Sequence, residues 1–74
     1  MRVIINNQKI GNNIKLLREN RKMSIDNLSL AAGIAKNKLI MYESGNKQIS
    51  LDDLILICNY FNVIIDNLVS YQII

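Results

Sequence analysis

The sequence predicts an all-α fold with five helices in a single domain over residues 1–74. Three observations support this class: apolar residues recur at helical spacing, there is no proline, and half of the chain is apolar. Such an apolar fraction is typical of a compact domain and not of a disordered segment. The β-branched ends, residues 3–5 and 71–74, leave open a pair of short strands in addition to the helices.

The first two predicted helices are delimited by local signals. Residues 10–21 place apolar side chains on one helical face, with polar ones between them. Ser24 is suited to cap a second helix, because a serine hydroxyl accepts a hydrogen bond from the first backbone N–H groups of a helix. That helix covers residues 25–32 and ends at Gly33, since glycine readily adopts the left-handed conformation that terminates helices.

Three further helices follow with boundaries of the same kind. After a short turn, the third helix covers residues 36–44 and is stopped by Gly45. Ser50 caps a fourth helix over residues 51–61, whose first turn contains acidic residues that the positive end of a helix favours. A last short helical turn covers residues 66–69.

Charge is distributed unevenly along the chain. All nine Lys and Arg lie in residues 1–48 with three acids, which gives this part a net charge of 9 − 3 = +6. Residues 49–74 contain no base and three Asp, a net charge of −3, and the sum is the overall +3. The division indicates one side that faces a polyanion and another side with a different role.

The second and third predicted helices have the lengths and the glycine-containing turn of a helix-turn-helix unit. In such a unit the second helix places its N-terminal residues against base edges in the major groove of DNA. The start of that helix reads Lys36-Asn37-Lys38 in this chain. Lysine donates to guanine O6/N7 or to phosphate and asparagine pairs with adenine N6/N7. We therefore predict that these residues contact DNA, against the alternative of a merely solvated helix start.

The loop after Gly45 carries three polar residues, Asn46, Lys47 and Gln48. They form either an ordinary solvated loop or a set of phosphate ligands. Phosphate contacts fix the position of a protein on the duplex and come from side chains of these types. We favour the phosphate interpretation.

A resemblance to a known family extends from the first to the last predicted helix. The residues that carry it are Leu17, Arg18, Ser24, Leu28, Ala31, Ala32, Gly33, Ile34, Leu39, Tyr42, Glu43, Gly45, Leu51, Leu54, Ile57, Cys58, Phe61, Val63, Asp66 and Leu68. With this set, residues 10–69 resemble the Cro/repressor-type (Xre-like) helix-turn-helix family, flanked by short extensions at 1–9 and 70–74. The resemblance implies a homodimer that binds double-stranded DNA, most often a transcriptional repressor on a near-palindromic operator. It also implies a structural salt bridge between Arg18 and Glu43.

The chain departs from the family pattern at several positions. Members of the family commonly have Gln at the position of Ile25, which meets backbone and base, and a polar cap at the position of Ala35. Ile40 and Met41 occupy outward positions that are usually polar. Ile25 and Met41 are therefore candidate DNA contacts, with thymine methyl groups as apolar targets. Alternatively, Ile25, Ile40 and Met41 form an apolar patch of a protein-interaction module that retains the fold.

A helical projection separates two faces of the fourth helix. Its inward side is predicted to hold Leu51, Leu54, Ile55, Ile57, Cys58 and Phe61. Leu56 and Tyr60 fall on the opposite, otherwise polar face, and Ile64 and Ile65 follow nearby. These four residues predict a dimer interface, because a large exposed apolar patch usually marks an interaction site.

The residue types that most enzymes require are scarce. The chain has no histidine, one cysteine and no glycine-rich phosphate loop, so metal sites, nucleophilic triads and nucleotide hydrolysis lack their parts. Asp52 and Asp53 are interpreted as helix N-terminal charges and not as a catalytic pair. The prediction is a protein that is not an enzyme and has no metal, no cofactor and no small-molecule substrate.

The sequence also predicts a cytoplasmic location. The N-terminal segment is too short and too quickly polar for a secretion signal. No apolar run approaches the roughly 18 residues that a membrane span needs, so no membrane partner is expected. Cys58 is the only thiol, which excludes an intrachain disulfide and fits a reducing compartment.

Overall fold

The computed structural model describes residues 3–69 and 71–73, and over these residues five helices lie between two short strands. The elements are β1 (Val3–Ile5), α1 (Asn7–Asn20), α2 (Ile25–Ala32), α3 (Lys36–Ser44), α4 (Leu51–Phe61), α5 (Ile65–Leu68) and β2 (Tyr71–Ile73). The bounds of α2, α3 and α4 are those predicted from the sequence. Among the helices of this described part, none is both long and apolar enough to cross a bilayer.

Helices α1 and α5 begin earlier than predicted. The first turn of α1 is stabilised by Asn6, whose side-chain oxygen accepts a hydrogen bond from the Lys9 backbone N–H at 3.0 Å. This capped turn is polar, and the apolar repeat that located the helix begins only at Ile10. Helix α5 starts one residue before the predicted position, and no side chain caps it.

The two strands pair in antiparallel orientation and bring the ends of the described chain together. Val3 lies opposite Ile73, and Ile5 lies opposite Tyr71. The strand pair that the sequence left open is therefore present. Residue 74, which belonged to the predicted segment, lies outside the described residues.

Residues from all five helices and from the turn after α2 form one hydrophobic core. Its buried members are Ile10, Ile14, Leu28, Ala32, Ile34, Leu39, Tyr42, Leu54, Ile57, Cys58, Phe61 and Leu68. Two residues predicted to face inward do not: Leu51 is 66% exposed and Ile55 is 40% exposed. The buried stripe of α4 is narrower than the projection suggested. Ile55 lies on its flank, and the side chain of Leu51, the first residue of α4, is exposed although Asp53 and Leu54 in the same turn are buried.

Gly11 lets α1 approach the backbone of α3 closely. A methyl group at this position would overlap the carbonyl oxygen of Tyr42 and lie 2.9 Å from that of Glu43. Both obstacles are backbone atoms, so no side-chain rotation can relieve the overlap. The glycine thus sets the distance between the first helix and the helix that forms the surface described below.

We expect Gly11→Ala to lower the stability of the protein, although alanine favours a helix by about 1 kcal/mol over glycine. Overpacking against the α3 backbone costs about 1–3 kcal/mol or more, because the two helices have to separate. Thermal unfolding followed by circular dichroism measures the effect. Asn12→Ala, at the exposed neighbouring position, is the control and should melt at or above the wild-type temperature. A Gly11→Ala protein as stable as wild type contradicts the close packing.

Candidate nucleic-acid interface

Local hydrogen bonds and a left-handed glycine define α2 and the turn that joins it to α3. Helix α2 starts with a hydrogen bond from the Asn27 N–H to the Ser24 hydroxyl oxygen at 3.0 Å. It ends at Gly33, whose φ of 73° is in the left-handed region. The Ser29 hydroxyl donates to the carbonyl oxygen of the buried Ile34 at 2.6 Å. The direction in which α3 leaves the turn is therefore well determined.

Helix α3 lies at the surface with one side in the core. Leu39 and Tyr42 are buried. The remaining residues of the helix are exposed except for Glu43, which is partly buried. The residues opposite the buried side follow the spacing of one helical face and are Asn37, Ile40, Met41 and Ser44. This outer face of α3, as we call these four residues, is available to a ligand.

The two lysines at the start of α3 lie on either side of this outer face. Lys36 Nζ is 3.0 Å from Asp26 Oδ1, and both side chains are more than half exposed, so water weakens the pair and leaves Lys36 free to bind elsewhere. Lys38 Nζ is 3.8 Å from Asp53 Oδ2 at the start of α4. No side chain caps the start of α3 at Ala35.

Asp53 joins α3 to α4. Its carboxylate is buried and accepts a hydrogen bond from the Tyr42 hydroxyl at 2.5 Å. Burial, and next the hydrogen bond to Asp53, raise the pKa of Tyr42 above its ordinary value, so the phenol remains a donor. The sequence predicted only a helix N-terminal role for Asp53, because a pair of side chains from two helices leaves no local signal in the sequence.

Arg18 and Glu43 join α1 to α3. Arg18 Nε and Nη2 donate to the two carboxylate oxygens of Glu43 at 2.8 and 2.9 Å, and Nη1 donates to the Met23 carbonyl at 2.9 Å. The side chains are 12% and 7% exposed. The hydrogen bond to Glu43 is the main cause that raises the pKa of Arg18. This bidentate pair holds α3 in a fixed orientation on α1.

The loop after α3 begins with a second left-handed glycine. Gly45 has φ 77°, and the Asn46 N–H donates to the Met41 carbonyl at 3.0 Å, which closes the C-terminus of α3. The side chains of Asn46, Lys47 and Gln48 are exposed beyond this end of the helix. Ile25, at the start of α2, is partly buried and packs against the core.

The four residues predicted to form a dimer interface are all exposed, but they divide into two groups. Ile64 and Ile65 line one groove together with Ile55. Tyr60 lies outside this groove. The guanidinium carbon of Arg21 lies over the Tyr60 ring, 5.7 Å from its centroid, and the Tyr60 hydroxyl is 3.6 Å from the Met23 sulfur. Leu56 does not line that groove.

Cys58 and the acidic side chains are the groups from which a nucleophile or a metal site could be built. Within residues 3–69 and 71–73, no group of three or more His, Cys, Asp or Glu side chains is placed to hold a metal ion. Cys58 is buried, and burial raises the pKa of its thiol, which disfavours the nucleophilic thiolate.

Known proteins resemble this chain in sequence. Residues 11–70 match a family model described as a helix-turn-helix domain. Antitoxin PezA of Streptococcus pneumoniae serotype 4 is 37% identical over 54 residues, which is 73% of this chain and 34% of that protein. The chain therefore spans about a third of the length of this curated relative.

Solved structures resemble it in fold. The restriction-modification controller protein C.AhdI from Aeromonas hydrophila has a TM-score of 0.78 at 19% identity, covering 84% of this chain and 94% of that chain. The clp gene regulator ClgR from Corynebacterium glutamicum has a TM-score of 0.75 at 17% identity, covering 88% and 84%. An HTH_3 family transcriptional regulator from Vibrio cholerae has a TM-score of 0.75 at 25% identity, covering 81% and 34%.

These superpositions confirm the all-α, Cro/repressor-like fold that the sequence predicted. The family model covers most of the chain and includes the capped α2, the glycine turn and α3. The chain belongs to the family of helix-turn-helix domains of the Xre type.

Proposed function

We propose that the protein is a sequence-specific regulator of transcription that binds double-stranded DNA. The observation that carries this proposal is the outer face of α3, a solvent-exposed helix surface held in one orientation by the Arg18–Glu43 ion pair to α1 and by the Tyr42–Asp53 hydrogen bond to α4. It lies in the part of the chain, residues 1–48, that has a net charge of +6. A helix of this kind enters the major groove, and the surrounding positive charge attracts the phosphate backbone.

The proposed interface has a central and a peripheral part. Asn37 and Met41 on the outer face of α3 contact base edges. Phosphate contacts come from both ends of the helix, and the residues proposed for them are Lys36, Lys38, Asn46, Lys47 and Gln48. Ile25 at the start of α2 is a further apolar residue proposed to contact DNA. Phosphate contacts of this number supply much of the affinity, and base contacts supply the specificity.

We further propose that the protein acts as a homodimer and represses transcription in the cytoplasm by occupying an operator. Two copies of α3 about 34 Å apart read a near-palindromic site with half-sites one helical turn apart. The exposed apolar side chains of Leu56, Tyr60, Ile64 and Ile65 are the proposed interface. Occupancy of the site is sufficient for repression, so the mechanism requires no catalysis, cofactor or small-molecule substrate.

A gel-shift titration against random and A·T-rich duplexes tests the DNA-binding function. Binding should weaken steeply as salt rises, because the phosphate contacts release counterions. If the protein binds no duplex, the alternative of a protein-interaction module gains support, since Ile40 and Met41 are adjacent and exposed. Ile25 contributes less to such a patch than expected, because it packs partly into the core.

We expect Asn37→Ala to weaken binding to the cognate operator by about 1–3 kcal/mol and to relax the preference at one base pair. The physical reason is the loss of a bidentate amide contact with adenine, while folding is unaffected because Asn37 is exposed. Fluorescence anisotropy with the operator and its single-base variants measures both effects. Asn12→Ala, which removes an exposed amide from α1, is the control. Equal affinity and equal base preference in wild type and Asn37→Ala exclude Asn37 from the interface.

A further inference from the structure

The outer face of α3 combines one amide, one hydroxyl and two large apolar side chains. Ile40 and Met41 are adjacent in sequence and are 44% and 43% exposed. Neither residue belongs to the hydrophobic core. Their exposed apolar surface is available to a ligand. Asn37 lies one turn before them and Ser44 one turn after Ile40 and Met41 on the same side of the helix.

Over the length of α3, no positively charged side chain belongs to this outer face. Lys38 lies on the side of the helix next to α4, where its ammonium group is 3.8 Å from the buried carboxylate of Asp53. Lys36 lies on the side next to α2, where it is 3.0 Å from Asp26. The commonest specific contact with DNA, a cation on guanine O6 and N7, therefore has no donor at the centre of this face. Both lysines lie beside the outer face of α3 and not on it.

One base-edge group in the major groove is apolar, and it is the 5-methyl group of thymine. An A·T pair presents this methyl group beside adenine N6 and N7, which an asparagine amide recognises. We propose, on the basis of the DNA-binding function proposed above, that Ile40 and Met41 are specificity-determining residues that contact thymine methyl groups. The ligand of the outer face of α3 is then a run of A·T pairs in each half-site, read by Asn37 at adenine and by these two side chains at thymine.

Replacement of thymine by uracil tests this inference, because it removes the 5-methyl group and leaves the hydrogen-bonding edge unchanged. A duplex is first selected from a random-sequence library with the wild-type protein. Each thymine of the selected half-site is then replaced in turn by uracil, and the dissociation constant is measured by fluorescence anisotropy. We expect a loss of affinity of about fourfold for each contacted methyl group.

Protein variants assign the contact to particular side chains. Ile40→Ser and Met41→Ser should each abolish the thymine-to-uracil difference at one position, whatever their effect on total affinity. Leu30→Ser is the matched control, since Leu30 is an apolar residue of α2 that is 85% exposed and outside the outer face of α3. The Leu30→Ser variant should show the same uracil-to-thymine ratio of dissociation constants as wild type at every position.

The outcomes separate this inference from the proposed function. A defined selected site whose affinity does not change with any uracil replacement, or a half-site read only at G·C pairs, overturns methyl reading and leaves DNA binding intact. A thymine-to-uracil ratio that persists in both Ile40→Ser and Met41→Ser also overturns it. Failure to select or bind any duplex overturns the proposed function and this inference together.

Discussion

Glu43→Ala is expected to lower the free energy of unfolding by about 3–5 kcal/mol, because it leaves the Arg18 guanidinium largely buried without its partner. Both carboxylate oxygens of Glu43 accept hydrogen bonds from Arg18, and the carboxylate is only 7% exposed. In a domain of this size, such a loss lowers the melting temperature by at least about 12 °C. A loss of this magnitude is comparable with the whole stability of a small domain, so the variant is expected to be largely unfolded at 37 °C.

Two further variants show whether the effect comes from the unpaired charge. Glu19→Ala removes an exposed acid from α1 and should melt close to wild type. The double variant Arg18→Met/Glu43→Leu removes both charges and should recover much of the stability that Glu43→Ala loses, since apolar side chains of similar volume often replace a buried ion pair without loss. A Glu43→Ala protein that melts within about two degrees of wild type contradicts the buried pair.

Ile64→Lys is expected to convert the proposed homodimer into a monomer. Ile64 is 63% exposed at the start of α5, so the monomer has no structural need for its apolar side chain. In a two-fold dimer each change occurs twice. Loss of about 1.5–3 kcal/mol per buried side chain in both subunits raises the dimer dissociation constant by about a hundredfold or more. Analytical ultracentrifugation measures the constant, and circular dichroism should show unchanged helical content.

The division of the predicted interface makes a comparison of variants informative. Leu56→Lys should raise the dimer dissociation constant as much as Ile64→Lys only if the interface extends from the groove of Ile64 and Ile65 across α4. Leu30→Lys introduces the same charge on α2 and should leave the dimer intact. Operator binding should weaken in parallel with dimer loss, because one recognition helix reads too few base pairs to find its site among many competitors. A wild-type protein that stays monomeric at high micromolar concentration without DNA contradicts the interface.

The boundaries of α2, α3 and α4 followed from the sequence because their causes are local. Ser24 and Ser50 cap the helices that follow them, and Gly33 and Gly45 adopt positive φ where the helices end. Each of these effects depends on a few neighbouring backbone groups, which the sequence specifies directly. The start of α1 was placed too late, because the prediction followed the apolar repeat, which begins at Ile10, and not the Asn6 cap that marks the first turn.

The contacts and the exposure of side chains around the site were decided by the tertiary structure. The pairing of Lys38 and Tyr42 with Asp53 depends on how α3 meets α4, and periodicity within one helix contains no information about the other. The pair of Arg18 and Glu43 was expected from the family resemblance alone. The exposed positions of Leu51 and Ile55 depend on how much of α4 its neighbours cover. The sequence specified the bounds of α2, α3 and α4, because helix capping acts within a turn, whereas packing between the helices fixed which charges are paired and which apolar side chains remain exposed.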